Sequence, residues 1–239
     1  QQQHACREAD ISLLTVNDGN IQRVCEALAS SFKKGSVVAH CSGALGSSIL
    51  SSAKKNNCFI ASAHPLNTFP SIEASLETFS SSLHASYLYS EGEQTALNIL
   101  LPLFSLAGFK NQTIASQAKP LYHTACVFAC NYLNSLMEMS LSTAEAAGLE
   151  RADFWTALQP ILQATLSNIS QQGTAKALSG PIARGDTQTL LTHMHELQNI
   201  SENLRSDYAN LGLRALELAI KNGELSDERI KKITDALKS

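Results

Sequence analysis

The run SVVAHCSGALGSSILSSAKK (Ser36–Lys55) passes from a β-branched apolar stretch, through a turn of small residues, into a helical tail. SVVAHC shows no polar alternation, so as a strand it is buried on both faces, which happens when helices cover a sheet from either side. The pattern repeats on both flanks. Upstream, ISLLTV (Ile11–Val16) is another such strand, closed by turn chemistry at NDGN. Ile21, Val24, Cys25 and Leu28 then recur at helical spacing and predict an amphipathic helix over residues 20–32. Downstream come strands in CFIASAHP (Cys58–Pro65) and SLHASYLYS (Ser82–Ser90), a helix over 92–107, and a short strand in FKNQTIA. Such strands separated by helices predict an α/β domain built on a parallel sheet. Near Ser116 the pattern turns wholly helical, with helices expected over 117–147, 151–171, 187–203 and 206–222 and a short one after Ser226. Gly148, Gly173 and Gly223 fall where those helices should stop. The expected organisation is an α/β domain over 1–116 and an all-helical domain over 117–239, with ligand bound in the cleft between them.

Composition narrows the function classes. The chain has 239 residues, a net charge of -3 and no block of like charges, so it offers neither nucleic acid nor an anionic membrane an electrostatic footprint. The nearest approach to a membrane span, TACVFAC, is far too short. Six cysteines without any C-x-x-C pair read as free thiols of a reducing compartment, hence the cytoplasm.

In a parallel sheet the functional edge is the carboxyl end of the strands. That edge presents Asn17 and Asp18, then His40, Cys41, Ser42 and Gly43, then His64, Pro65, Asn67 and Thr68. The small residues Ser42, Gly43 and Gly46 would let a ligand approach the backbone, although a tight strand-to-helix turn explains SGALGS equally well. A metal site assembled from His40, Cys41, His64 and His123 has no matching spacing and no accompanying carboxylate, so no metal is expected. KPLYHTACVFACN (Lys119–Asn131) is more pointed. Pro120 belongs in a first helical turn, which sets Lys119 at the helix mouth and His123 one turn along on the same side. A lysine there is opposed by the helix dipole. The pair is read either as proton-handling groups aimed at a cleft, or as a solvated lysine beside a core histidine. In SGPIARGD (Ser179–Asp186), Arg184 could grip a carboxylate or phosphate, while Asp186 could serve as the N-cap of the next helix.

Together HCSGALGS, SAHPLNTFP, KPLYHTACVFACNYL and SGPIARGD resemble a bacterial family that joins a Rossmann-like domain to an all-helical domain of unknown function. Its members are named as NADP-dependent oxidoreductases, and its wider kin include pyrroline-5-carboxylate reductase, ketopantoate reductase, prephenate dehydrogenase and the β-hydroxyacid dehydrogenases. The resemblance implies a helical domain of the phosphogluconate-dehydrogenase type, a homodimer, and NADP, or NAD, as cofactor. It places Val16, Asn17 and Asp18 beneath the nicotinamide ribose, with Ser42 and Gly43 beside the ring. His64, Asn67, Asn131, Arg184 and Asp186 would face a small oxo-, hydroxy- or imino-acid. Lys119 falls at the catalytic lysine of the β-hydroxyacid dehydrogenases; His123 stands where they carry asparagine and would orient substrate.

One departure matters. No G-x-G-x-x-G turn occurs in the chain, so the pyrophosphate lacks its usual backbone donors. The first β-α-β portion, about 40–50 residues, is read as missing, and cofactor binding by this chain is expected to be weak or absent. A fold kept without a working dinucleotide site would instead be a non-catalytic ligand-binding or scaffold protein.

Overall fold

β1 (Ile11–Leu14), β2 (Val37–His40), β3 (Phe59–Leu66), β4 (Tyr87–Gly92) and β5 (Lys110–Thr113) form one sheet in that order. The structure is a computed structural model and describes residues 2–69, 71 and 86–239; the Ser82–Ala85 part of the expected fourth strand lies outside them. β1, β2 and β3 run parallel, with Leu14 opposite His40 and His40 opposite Ser62, so all three point their carboxyl ends at one edge. β4 departs from the expected parallel sheet. It runs antiparallel to β3, setting Glu91 opposite Ser62 and Tyr89 opposite His64, and β5 follows it in parallel. Missing polar alternation reports burial of both faces and carries no information about strand direction. Gly92, with φ of 140°, closes β4 where a Cβ would lie 2.5 Å from the Ala61 Cα on β3.

Each residue of β2 is buried, as its unbroken apolar run demands. Val38 packs with Ile21 and Cys25 of α2 (Asp18–Leu28) and with Leu50 just ahead of α3 (Ser51–Lys55). Val37 and Ala39 face the other way, onto Ala96, Leu97 and Leu100 of α4 (Gln94–Leu106). An N-terminal helix that periodicity did not reveal, α1 (Gln2–Glu8), adds Cys6 to the first face. It is two turns long and buries one residue, too little for a periodic signal.

The chain divides into two compact units, Gln1–Tyr132 and Leu133–Ser239. The sequence turns helical near Ser116, but α5 (Lys119–Cys126) belongs to the sheet's unit, because its first residue is buried against strand ends. After α5 the helix widens into one π-helical segment, Val127–Asn131, and continues as α6 (Tyr132–Ala146). The second unit holds α7 (Arg151–Lys176), α8 (Pro181–Arg184), α9 (Thr187–Ile200), α10 (Glu202–Asn222) and α11 (Asp227–Lys238). Its core is Leu190 and Met194 of α9, Leu216 and Ala219 of α10, and Ile233 and Leu237 of α11. Capping marks the starts: Asp186, Ser201 and Ser226 each accept a backbone N–H of the helix they open. Gly223 ends α10 in the left-handed conformation, whereas Gly173 only breaks α7, which resumes to Lys176.

Candidate active site

The carboxyl edge of β1, β2 and β3 is organised around a lysine. Lys119 opens α5 and is 1% exposed. Its Nζ donates to the Ser42 carbonyl at 2.7 Å and to Ser62 Oγ, so the first turn of α5 is tied to the loop after β2 and to the middle of β3. Burial depresses its pKa; Glu91, Asp18 and Cys41 oppose that shift. The lysine is therefore placed at the expected edge, but it sits beneath the strand ends and is not displayed to solvent.

The loop after β2 is held by its own side chains. His40 is fully buried; the Ser42 N–H donates to its Nδ1 at 3.2 Å, and its Nε2 lies 3.2 Å from the Gly46 carbonyl. An imidazole that accepts at Nδ1 and meets a carbonyl at Nε2 is neutral, with its hydrogen on Nε2. Burial lowers its pKa, and Lys119 adds to this against the Gly46 bond. Both nitrogens are thus engaged, which removes His40 from the metal reading. Among the described residues no cluster of three or more His, Cys, Asp or Glu could hold a metal. Ser42 Oγ donates to Asp18 Oδ2 at 2.7 Å and accepts from the Ala44 and Leu45 N–H groups, closing the turn. Glu91, delivered opposite Ser62 by the antiparallel β4, accepts from the Ser47 N–H at 2.5 Å and Ser47 Oγ at 3.0 Å, and so fixes the start of the next helical turn.

Two imidazoles lie over Gly43. A Cβ there would stand 2.6 Å from His123 Cδ2 and 2.9 Å from His64 Nε2. Gly43, which sequence reading assigned to backbone–ligand approach, also leaves room for these two rings. The His64 and His123 rings meet edge-on at 6.3 Å, and His64 Nδ1 is 2.9 Å from the Tyr122 hydroxyl. Tyr122 in turn stacks obliquely on Tyr89, 4.7 Å between centroids. Burial, then the positive charge of Lys119, then His123 bring the His64 pKa down to about 4, with Asp18 opposing.

Lys119, His123, Ser42, Gly43, His64 and Asp18 are thus brought together. Asn17 caps α2 without a side-chain bond, and Val16 stands 41% exposed beside it. Asn67 accepts the Thr68 N–H at 2.8 Å, a local turn contact, and Asn131 ends the π-helical segment on an exposed face. Arg184 and Asp186 belong to the helical unit. There Arg184 is exposed, and Asp186 caps α9 through the Thr189 N–H at 3.1 Å and Thr189 Oγ1 at 2.7 Å, the structural reading of SGPIARGD. Sequence reasoning missed Ser62, Glu91 and Tyr122. Tyr122 stood inside the quoted KPLYH motif, whereas Ser62 and Glu91 acquire meaning only through strand register.

Two outcomes follow from this geometry. A Gly43→Ala substitution should fold but lose about 1–3 kcal/mol by urea denaturation, since the new methyl must displace both rings from a packed edge. The unfolded chain protonates His64 near its ordinary value of 6.5, and the folded chain only near 4, so as pH falls through that window the unfolded state gains protons first. Stability should therefore drop between about pH 6.5 and 4. His64→Gln should show a shallower drop in urea midpoint, the remainder belonging to His40; an unchanged slope would mean the ring is not held neutral.

The family model described as Domain of unknown function (DUF2520) matches residues 86–215, more than half of the chain, and a Rossmann-like domain model matches residues 1–65. A comparison with curated proteins found no match. Among solved structures, protein TM1727 from Thermotoga maritima is 26% identical with a TM-score of 0.71, over 89% of this chain and 79% of that one. BF3122 from Bacteroides fragilis, provisionally named an NADP oxidoreductase, is 15% identical with a TM-score of 0.72, over 87% and 76%. The imine reductase from Myxococcus stipitatus, solved with NADP+, is 15% identical with a TM-score of 0.58, over 97% and 82%. These last two likenesses concern the fold. With a Rossmann-like sheet, a largely helical second unit and the matched family model, the chain belongs to the DUF2520 family.

Proposed function

We propose that this protein is a cytoplasmic NAD(P)-dependent oxidoreductase acting on a small oxo-, hydroxy- or imino-acid, with NADP as the first-choice cofactor. The observation that carries the reading is the buried Lys119 amine, bonded to Ser42 and Ser62 at the carboxyl edge of three parallel strands, with His64 and His123 above it. The residues fit the nicotinamide end of a dinucleotide. Val16, Asn17 and Asp18 follow β1, α2 starts there with no side-chain cap, and Asp18 is bonded to Ser42 on the neighbouring loop. They would hold the nicotinamide ribose, with Ser42 and Gly43 beside the ring, and the cofactor when bound supplies the hydride.

Reducing a carbonyl or imine also needs a proton at oxygen or nitrogen. An amine whose pKa is lowered by burial holds such a proton at Nζ closer to neutrality than a free lysine does. Ser62 Oγ, bonded to that Nζ, fixes the amine in place, and the half-buried His123 is in position to orient substrate. The six cysteines, all among the described residues, are in no disulfide, which agrees with a reducing compartment. No described helix is long and apolar enough to cross a membrane.

A second reading, a non-catalytic binder that keeps the fold, is favoured by one observation: at 1% exposure Lys119 already has two acceptors. Purified protein should be titrated with NADPH and NADH by nucleotide fluorescence, then screened for nicotinamide oxidation against small oxo- and imino-acids. The oxidoreductase reading expects only weak nucleotide binding by this chain, which carries no G-x-G-x-x-G turn, and saturable binding and turnover once a glycine-rich β-α-β half is supplied. In that form Lys119→Met should keep the fold while lowering kcat by about 10²–10⁴-fold. Absence of binding by that form with either nucleotide would leave the passive binder.

A homodimer through the helical unit belongs to the same proposal. α7 has no buried residue, and Trp155, Leu166 and Ile169 recur along it at coiled-coil-like spacing, 39%, 55% and 37% exposed. A groove of about 830 Å³ in the same unit is lined by Leu136, Met139, Phe154 and Leu211. Sedimentation should report twice the 25.7 kDa chain mass, falling to the single-chain mass in a Trp155→Glu, Ile169→Glu double variant. A monomeric wild type would refute it.

A further inference from the structure

Resting on that site reading, we infer that Tyr122 is a positioning residue: its hydroxyl donates to His64 Nδ1 and so locks the neutral Nε2–H form of His64, which presents a single N–H beside Gly43 and His123 to an accepting ligand oxygen. A contact of 2.9 Å between Nδ1 and the phenol admits two directions of donation. The chemistry of the pair chooses between them. A phenol is a strong donor and an imidazole nitrogen a strong acceptor. The favourable arrangement therefore sends the phenolic hydrogen to His64 Nδ1. The reverse direction would turn the phenolic hydrogen away from the stronger acceptor.

The charges around the ring support the same state. From α5, Lys119 and His123 face His64; from the start of α2, Asp18; and from β4, Tyr89, its register partner. Burial, and then the positive charge of Lys119, disfavour a positive charge on His64. Burial keeps the Tyr122 phenol protonated and able to donate. No hydrogen bond within the described residues engages His64 Nε2, which lies over Gly43 with its edge toward His123. A neutral imidazole in that state donates and does not accept at Nε2. The matching ligand atom is a carbonyl or carboxylate oxygen, as an oxo-acid carries, and not an ammonium.

The test is the imidazole nitrogen spectrum of ¹⁵N-labelled whole protein at neutral pH without cofactor, with His64 assigned by its loss in His64→Gln. The expected result is an unprotonated Nδ1 and a protonated Nε2 in the wild type, and an averaged pair in Tyr122→Phe at unchanged thermal stability. A protonated Nδ1, a doubly protonated ring, or a Tyr122→Phe spectrum identical to wild type overturns the inference. Should that variant fail to fold, the wild-type spectrum alone decides. Added oxamate should move the Nε2 signal while methylammonium leaves it in place; the reverse order, or no movement with oxamate, overturns the ligand assignment. Because this readout needs no nicotinamide nucleotide, the expected ring state together with no binding of NADPH or NADH by a form that carries the glycine-rich half would refute the oxidoreductase reading and leave this inference standing.

Discussion

An amine shut away from water must find oxygen acceptors, and Lys119 finds the Ser42 carbonyl and the Ser62 hydroxyl. Removing an ammonium from solvent costs several kcal/mol, offset here by those two bonds and by the fields of Glu91 and Asp18. The same contact has a mechanical consequence. It pins the first turn of α5 to the loop after β2 and to the middle of β3, and Tyr122 and His123 ride on the next turn of that helix. Their positions over β3 and Gly43 follow from where the lysine is anchored.

The loops around the lysine are rigid for complementary reasons. His40 is bonded to the backbone at both nitrogens, Ser42 closes its own turn onto Asp18, and Glu91 secures Ser47. The edge therefore has few side chains left with free polar atoms. That economy gives His64 its interest: one of its nitrogens is engaged by Tyr122, while the other is not engaged by any described residue. Burial, the Lys119 charge and the neighbouring His123 favour an uncharged imidazole, as suits a hydrogen-bond donor more than a general acid. Membership of a family described only as a domain of unknown function supplies no residue roles. The chemistry rests on the side chains at this edge.

Much of the scaffold is local and was legible in the chain. SVVAHC declared a strand buried on both faces because each successive side chain must enter one core or the other. Pro120 announced a helix start, and Asp186 a helix cap, because a missing N–H and a short acceptor side chain act within one turn of their own position. HCSG and AHP could be singled out as one edge, since the carboxyl ends of parallel strands gather by topology.

What the chain could not disclose were relations between distant residues. The antiparallel run of β4 is not written in its own residues, and only that direction sets Glu91 opposite Ser62 and Tyr89 opposite His64. Whether Lys119 faced water or was buried turned on which groups waited across the helix, 57 and 77 residues away in sequence. Local pattern determined the elements and nominated the lysine, the histidines and the glycine. Tertiary packing decided their protonation, partners and exposure, because burial and hydrogen bonding are properties of neighbours that meet only when the sheet is assembled.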